Sequence, residues 1–165
     1  MADSLRFEIV EGDPVLALAD EILGLCHVLF PDFADAYLLD RLPKVAGLAL
    51  VAARGADGAL LGFKLGYARG EGTFYSWLGG IHPSIRRQGV GRRLMERQHA
   101  WARERGYAFV ETRTRTANNA MIVLNLQSGF QVVGYDEKSG GQPTVTQRAT
   151  LHPPTSLSPR IQATY

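Results

Sequence analysis

The chain has 165 residues, 45% of them hydrophobic and 21% charged, which is the size of one domain able to bury a sizeable core. Its single cysteine, Cys26, excludes an intrachain disulfide and a cysteine metal knuckle, and the chain has neither a signal-like start nor an apolar run of membrane-spanning length, so a cytoplasmic protein without a membrane partner is expected. The net charge of +2 hides an asymmetry, because residues 86–115 carry nine Arg against three Glu while residues 1–71 carry six Lys or Arg against eleven Asp or Glu; a basic middle suits an anionic ligand, and an acidic first half suits either a cationic amine or a solvated surface.

Leu5 to Glu11 partly alternates and predicts a strand. Gly12-Asp13-Pro14 then breaks the pattern; Asp13 can cap the next helix and Pro14 suits its first position. Val15, Leu18, Ala19, Ile22, Cys26 and Leu29 fall on one helical stripe, which makes Cys26 a buried structural thiol. After Phe30-Pro31, Asp32 can cap a short helix from Phe33 to about Leu42. Leu48 to Ala53, Leu60 to Ala68 and Thr73 to Ile81 predict three strands of an antiparallel meander, the first two joined by the turn Ala56-Asp57-Gly58. Gly79-Gly80 is unusual inside a strand. Paired glycines there predict a bulge or a close backbone approach, and a bulge would leave N–H and C=O groups free for an extended, amide-bearing ligand.

Arg86-Arg87-Gln88-Gly89-Val90-Gly91-Arg92 follows that strand and opens a helix running to about Arg105. Gly89 and Gly91 permit unusual backbone and close approach, and the helix start adds unpaired N–H groups and partial positive charge. This is a phosphate or pyrophosphate cradle in type. The dinucleotide fingerprint fails because Leu94 stands where its third glycine belongs, and a Walker A loop fails for want of a Gly-Lys pair. Gly106 ends the helix, and Tyr107 to about Thr114 is a strand parallel to the one before it. A helix from about Asn118 to Ser128, a strand Gln131 to Asp136, a loop 138–143 and a strand Thr144 to Leu151 complete the domain. Residues 1–151 thus form a single domain. Residues 152–165, rich in Pro, Ser and Thr, are a tail.

Arg86-x-x-Gly89-x-Gly91 resembles the acyl-CoA pyrophosphate loop of the GNAT superfamily of N-acetyltransferases. A second signature agrees: in Asn118 to Phe130, the residues Asn118, Leu124, Gly129 and Phe130 match the family's N-x-x-A-x-x-L-Y-x-x-x-G-F, while Met121 and Asn125 depart from it. The resemblance covers about residues 5–151. It implies an α/β (α+β) fold with a mixed central sheet of six to seven strands, splayed at a bulge, and about four helices. It implies transfer of an acetyl group from acetyl-CoA to a primary amine of a small molecule or protein by direct attack; no metal is expected, and no nucleic acid either, because the arginines share one helix with interspersed Glu and no aromatic platform. It also admits a homodimer.

The same resemblance places the co-substrate on Gly79, Gly80, Ile81, Arg86, Arg87, Gln88, Gly89, Val90, Gly91, Arg92, Asn118 and Asn125. Glu111 is the implied base, and it can equally pair with the arginines on its strand face. Asn125 stands where many relatives carry the tyrosine that protonates the leaving thiolate. Solvent or the substrate could supply that proton, or Tyr135 or Tyr75 could, or the protein could bind acyl-CoA without turnover. Glu71 and His82 are weaker bases, His82 reading as a structural residue or one at the edge of the CoA site. His27, His82, His99 and His152 show no metal-ligand spacing. Trp77 and Trp101 read as core.

Overall fold

The computed structural model describes residues 4–137 and 141–151; the expected tail, 152–165, lies outside them. Seven strands form one sheet: β1 (Arg6–Glu11), β2 (Ala49–Arg54), β3 (Leu60–Ala68), β4 (Thr73–Ile81), β5 (Phe109–Arg115), β6 (Phe130–Asp136) and β7 (Thr144–Thr150). Four α-helices accompany them: α1 (Ala19–Leu29), α2 (Asp35–Leu39), α3 (Val90–Glu104) and α4 (Asn119–Gln127). The strand order is β1-β2-β3-β4-β5-β7-β6. β1 to β4 run antiparallel as the expected meander, β4 and β5 are parallel, and β7 returns antiparallel between β5 and β6.

The sheet is covered on both faces. On one, Ile22, Leu25 and Cys26 of α1 and Leu38 of α2 pack on Leu50, Phe63, Leu65, Tyr75 and Trp77. On the other, Val90, Leu94, Met95, Trp101 and Ala102 of α3 fall at helical spacing and cover Val51, Phe74 and Val110. Side chains as fully buried as Phe63, Leu65 and Phe74 each contribute about 1.5–3 kcal/mol by leaving water. The expected thiol behaviour holds: Cys26 is fully buried and its ionisation is pushed up to about 12 by burial.

The start of the first helix differs from expectation. Residues Asp13–Leu18 form a 3-10 helix capped by Gly12 at φ 71°, and Asp13 makes no side-chain cap. Asp32 caps nothing either, since α2 begins at Asp35 after Ala34. Asp35 Oδ1 instead accepts from His27 Nε2 at 2.6 Å, across the α1–α2 turn.

The bulge is also displaced. It falls at Trp77, where the register shifts from Leu65↔Leu78 to Gly66↔Ser76. Gly79 and Gly80 keep regular pairing with Lys64 and Phe63. Their smallness serves their neighbours: a Cβ on Gly80 would lie 2.2 Å from Leu29 Cδ1, and one on Gly79 2.9 Å from the Phe63 carbonyl oxygen. The splay nonetheless occurs. The β4–β5 ladder joins Thr73–Ser76 to Phe109–Thr112 and stops, while β4 runs on to Ile81 and β5 to Arg115 beside β7.

Candidate active site

The gap left by the splay is a cleft of about 230 Å³. Trp77 to Ile81 form one wall and Thr112 to Thr114 the other; α3 contributes Gly91, Leu94 and Met95, and α4 contributes Asn118, Met121, Leu124 and Asn125. The β5-facing edge of β4 beyond Ser76 has no strand partner, so its N–H and C=O groups are open to a ligand.

At the mouth of the cleft, α3 begins on Gly89 at φ 72°, ψ 15°, with no side chain capping it. The first helical bond there is Arg93 N–H to the Gly89 carbonyl. The N–H groups of Gly89, Val90, Gly91 and Arg92 therefore have no intrahelical acceptor. A Cβ at Gly89 would meet nothing, so glycine is there for its backbone; at Gly91 it would lie 3.1 Å from Ile81 Cδ1, so glycine is there for packing. Arg87 also takes a left-handed conformation, φ 63°, which the sequence pattern does not disclose. Arg86 donates to the Ile81 carbonyl at 3.3 Å, tying the turn to β4. Arg86, Arg87, Gln88 and Arg92 are exposed around the helix start. Arg93 is not part of that ring, because its guanidinium lies 4.2 Å over the Phe7 ring. A second hollow of about 200 Å³ runs between α3 and α4 from Arg92 to Ser128.

Asn118 caps α4, its Oδ1 accepting from Met121 N–H at 3.2 Å. Asn125 is 1% exposed. Gln147 of β7 donates to the Ile122 carbonyl at 3.2 Å and accepts from Asn125 Nδ2 at 2.9 Å. A carbonyl only accepts, so the amide pair has one direction. Asn125 Oδ1 is left buried in the cleft lining without a partner among the described residues. Asn125 thus offers an acceptor, which suits an amide N–H and does not suit proton delivery.

Glu111 is held on one oxygen by Arg148 of β7, from Nε at 2.7 Å and from Nη2. Its partner is therefore not an arginine of its own strand. Glu111 lies opposite Tyr75, and its strand neighbours Thr112 and Arg113 line the cleft though it does not. Tyr135 is 61% exposed on β6 and does not line the cleft. Tyr75 lies on the α1–α2 face, its phenol pushed up by burial and by Tyr37 and Tyr67. His82 is structural: its Nδ1 accepts from Ser84 N–H at 3.1 Å and caps the turn Pro83–Ile85. Trp101 is core, and Trp77 is both core and cleft wall, its Nε1 donating to Tyr37 at 3.0 Å. Glu71 sits in the turn before β4, at the strand end away from the cleft. Three acidic residues of the first half are engaged elsewhere, Glu8 and Glu21 with Arg54 and Glu11 with Arg105.

Sequence reading missed Lys64, which lines the cleft from β3. Its alternation with Phe63 and Leu65 marks it as facing away from α1, but only the position of α3 makes that face interior. Among the described residues no group of three or more His, Cys, Asp or Glu could hold a metal, and no helix is long and apolar enough to cross a membrane.

Comparison with known proteins gives a match to the acetyltransferase (GNAT) family over residues 16–130. Among solved structures, the chain is similar to a nourseothricin acetyltransferase, at 26% identity and TM-score 0.57 over 64% of this chain and 66% of that one. It shares its fold with Ard1 from Thermoplasma volcanium, at 21% identity and TM-score 0.69 over 87% and 97% of the two chains. It does so too with the ribosomal-protein-S18-alanine N-acetyltransferase from Escherichia coli, at 17% identity and TM-score 0.68 over 93% and 99%. No curated protein sequence matches the chain.

Proposed function

The chain belongs to the GNAT acetyltransferase family, and from that premise we propose that it transfers an acetyl group from acetyl-CoA to a primary amine. One observation carries the donor assignment: the unpaired half of β4 leads, through the turn at Pro83–Ile85, into an uncapped, arginine-ringed helix start. A ligand with an amide-bearing arm and a pyrophosphate fits both parts at once. The N–H groups from Gly89 to Arg92 hold the pyrophosphate, with Arg86, Arg87 and Arg92 around it. The edge from Leu78 to Ile81 pairs with the arm, and the orphaned Asn125 Oδ1 accepts from one of its amides. Acetyl-CoA supplies a thioester whose carbonyl carbon is open to attack. The β4 N–H groups near the Trp77 bulge polarise that carbonyl.

On the acceptor side, Tyr37, Tyr67, Tyr75 and Trp77 form a nest of rings with Arg41 5.0 Å over Trp77. An amine arriving there sheds its proton to Glu111 through water, while Arg148 keeps the carboxylate in place. Calorimetry with acetyl-CoA, followed by thiol release with a panel of small amines and amine-bearing peptides, tests the reading. Absence of acetyl-CoA binding overturns it.

A second reading has its own support in Asn125, which cannot supply a proton. In that reading the protein binds acyl-CoA and does not turn it over. Binding without thiol release across the whole panel would select it.

A further inference from the structure

Lys64 lies in the middle of β3, opposite Gly79 of β4, on the face that α3 covers. Its stem runs beside Gly79, where a Cβ would be in van der Waals contact with Lys64 Cγ at 3.4 Å. Lys64 lines the cleft together with Ser76, Gly79 and Asn125, and it makes no ion pair or hydrogen bond among the described residues. Nothing packed around it neutralises it. From α3 comes His99, kept neutral down to about pH 4 by burial and by the charges of Lys64 and Arg103. From β5 comes Arg113, a second cation in the same lining, and from α4 the uncharged Asn125. An unpaired ammonium is costly away from water; Lys64 is half-buried, and it lines the cleft rather than the outer surface. Burial lowers the Lys64 amine to about 8.

We propose that Lys64 is the proton donor to the sulfur that leaves the thioester, in the place that Asn125 has vacated. The inference rests on the acetyl-CoA reading above. Asn125 presents an acceptor, Tyr135 is outside the cleft, and Tyr75 is on the opposite sheet face. The remaining lining consists of apolar groups, hydroxyls, amides and the Arg113 guanidinium, so Lys64 is the one described lining residue able to exchange a proton near neutral pH. As the acceptor nitrogen bonds to the carbonyl carbon, the C–S bond breaks and sulfur departs with the electron pair. Lys64 passes one ammonium proton to it. The proton shed by the acceptor nitrogen returns through Glu111 and water to restore the ammonium, and the products are an amide and a free thiol. A free thiol titrates near 8.5, and acidification of about tenfold beside the ammonium leaves it within about tenfold of the Lys64 amine, so the proton passes to sulfur at modest cost.

Free CoA is the probe, and no acceptor is needed. Its thiol is titrated on the protein by the ultraviolet absorbance of the thiolate, against a desulfo-CoA blank. In the wild type, an ammonium beside the sulfur makes the bound thiol about tenfold or more acidic than in solution. Lys64→Met removes that shift while still binding CoA. Lys64→Arg keeps the shift, because the charge remains, but slows thiol release with any amine that supports turnover, because a guanidinium does not exchange its proton. Identical thiol titrations in wild type and Lys64→Met, with CoA bound to both, overturn the inference and leave the acetyl-CoA reading standing. Failure of the wild type to bind CoA overturns that reading itself. Acetyl found on Lys64 by mass spectrometry after incubation with acetyl-CoA also overturns the inference, since the amine would then be the nucleophile.

Discussion

The first four residues of β4, Thr73–Ser76, and the last five, Trp77–Ile81, continue one strand but meet different neighbours. The first four are hydrogen-bonded on both sides, to β3 and to β5, and Phe74 among them is fully buried. The last five keep β3 and lose β5, and two of them are glycines. One half completes the sheet; the other offers its open edge to something outside the chain. A single extra residue at Trp77 separates them. Binding capacity here comes from interrupting a ladder, and the cost is confined to a stretch where the core is already closed on the far side.

The largest effect expected from breaking this division is in the closed half. Phe74→Ala should destabilise the protein by about 3–5 kcal/mol, read from denaturant midpoints, because a fully buried ring leaves a cavity. A loss of less than about 1 kcal/mol would mean that the closed half is no more essential to the core than the open one. Beside the open half, Lys64 of β3, which pairs with Gly79, should respond in the opposite direction. Its amine is lowered from 10.5 to about 8, so between those values the unfolded chain binds more protons and stability rises with pH. Lys64→Met should stabilise the protein by about 3 kcal/mol near neutral pH and abolish that rise. Unchanged stability would show that the amine is well solvated in the cleft.

Gly89→Glu should weaken acetyl-CoA binding by about tenfold or more, by placing charge where the pyrophosphate sits. It should cost only about 1–2 kcal/mol of stability, for the left-handed backbone, because its side chain enters open space. Unchanged affinity in calorimetry would remove the cradle from the donor site. The smallest effect is at Asn125. Asn125→Tyr should raise turnover little, because Gln147 and the Ile122 carbonyl already fill the side of the site toward β7. A large gain would show that a phenol still fits there and that Lys64 is dispensable.

Much of this was legible from residue type alone. Gly89 signals its turn because only glycine takes that backbone cheaply, and Asn118 signals the start of α4 because its side chain caps it. These are local facts, and local facts show in a sequence. The position of the bulge was misread because Gly79-Gly80 carries the usual sign of one; the glycines answer instead to Leu29 and Phe63, which are distant in the chain. The partner of Glu111 was hidden for the same reason, since Arg148 reaches it only through the return of β7 beside β5. The ion pairs of the acidic first half were hidden likewise, since Glu8 and Glu11 meet Arg54 and Arg105 from distant parts of the chain. Lys64 looked like any polar residue in an alternating strand, and only the layer above it makes it interior.

The contact between Gly79 and the Phe63 carbonyl also limits how the open edge can vary. Any side chain at position 79 would press on that oxygen, 2.9 Å from its Cβ. The oxygen belongs to the backbone of β3 and cannot swing aside as the end of a side chain can. The strand that presents a bare edge to a ligand is thus kept bare from behind, by its own neighbour in the sheet.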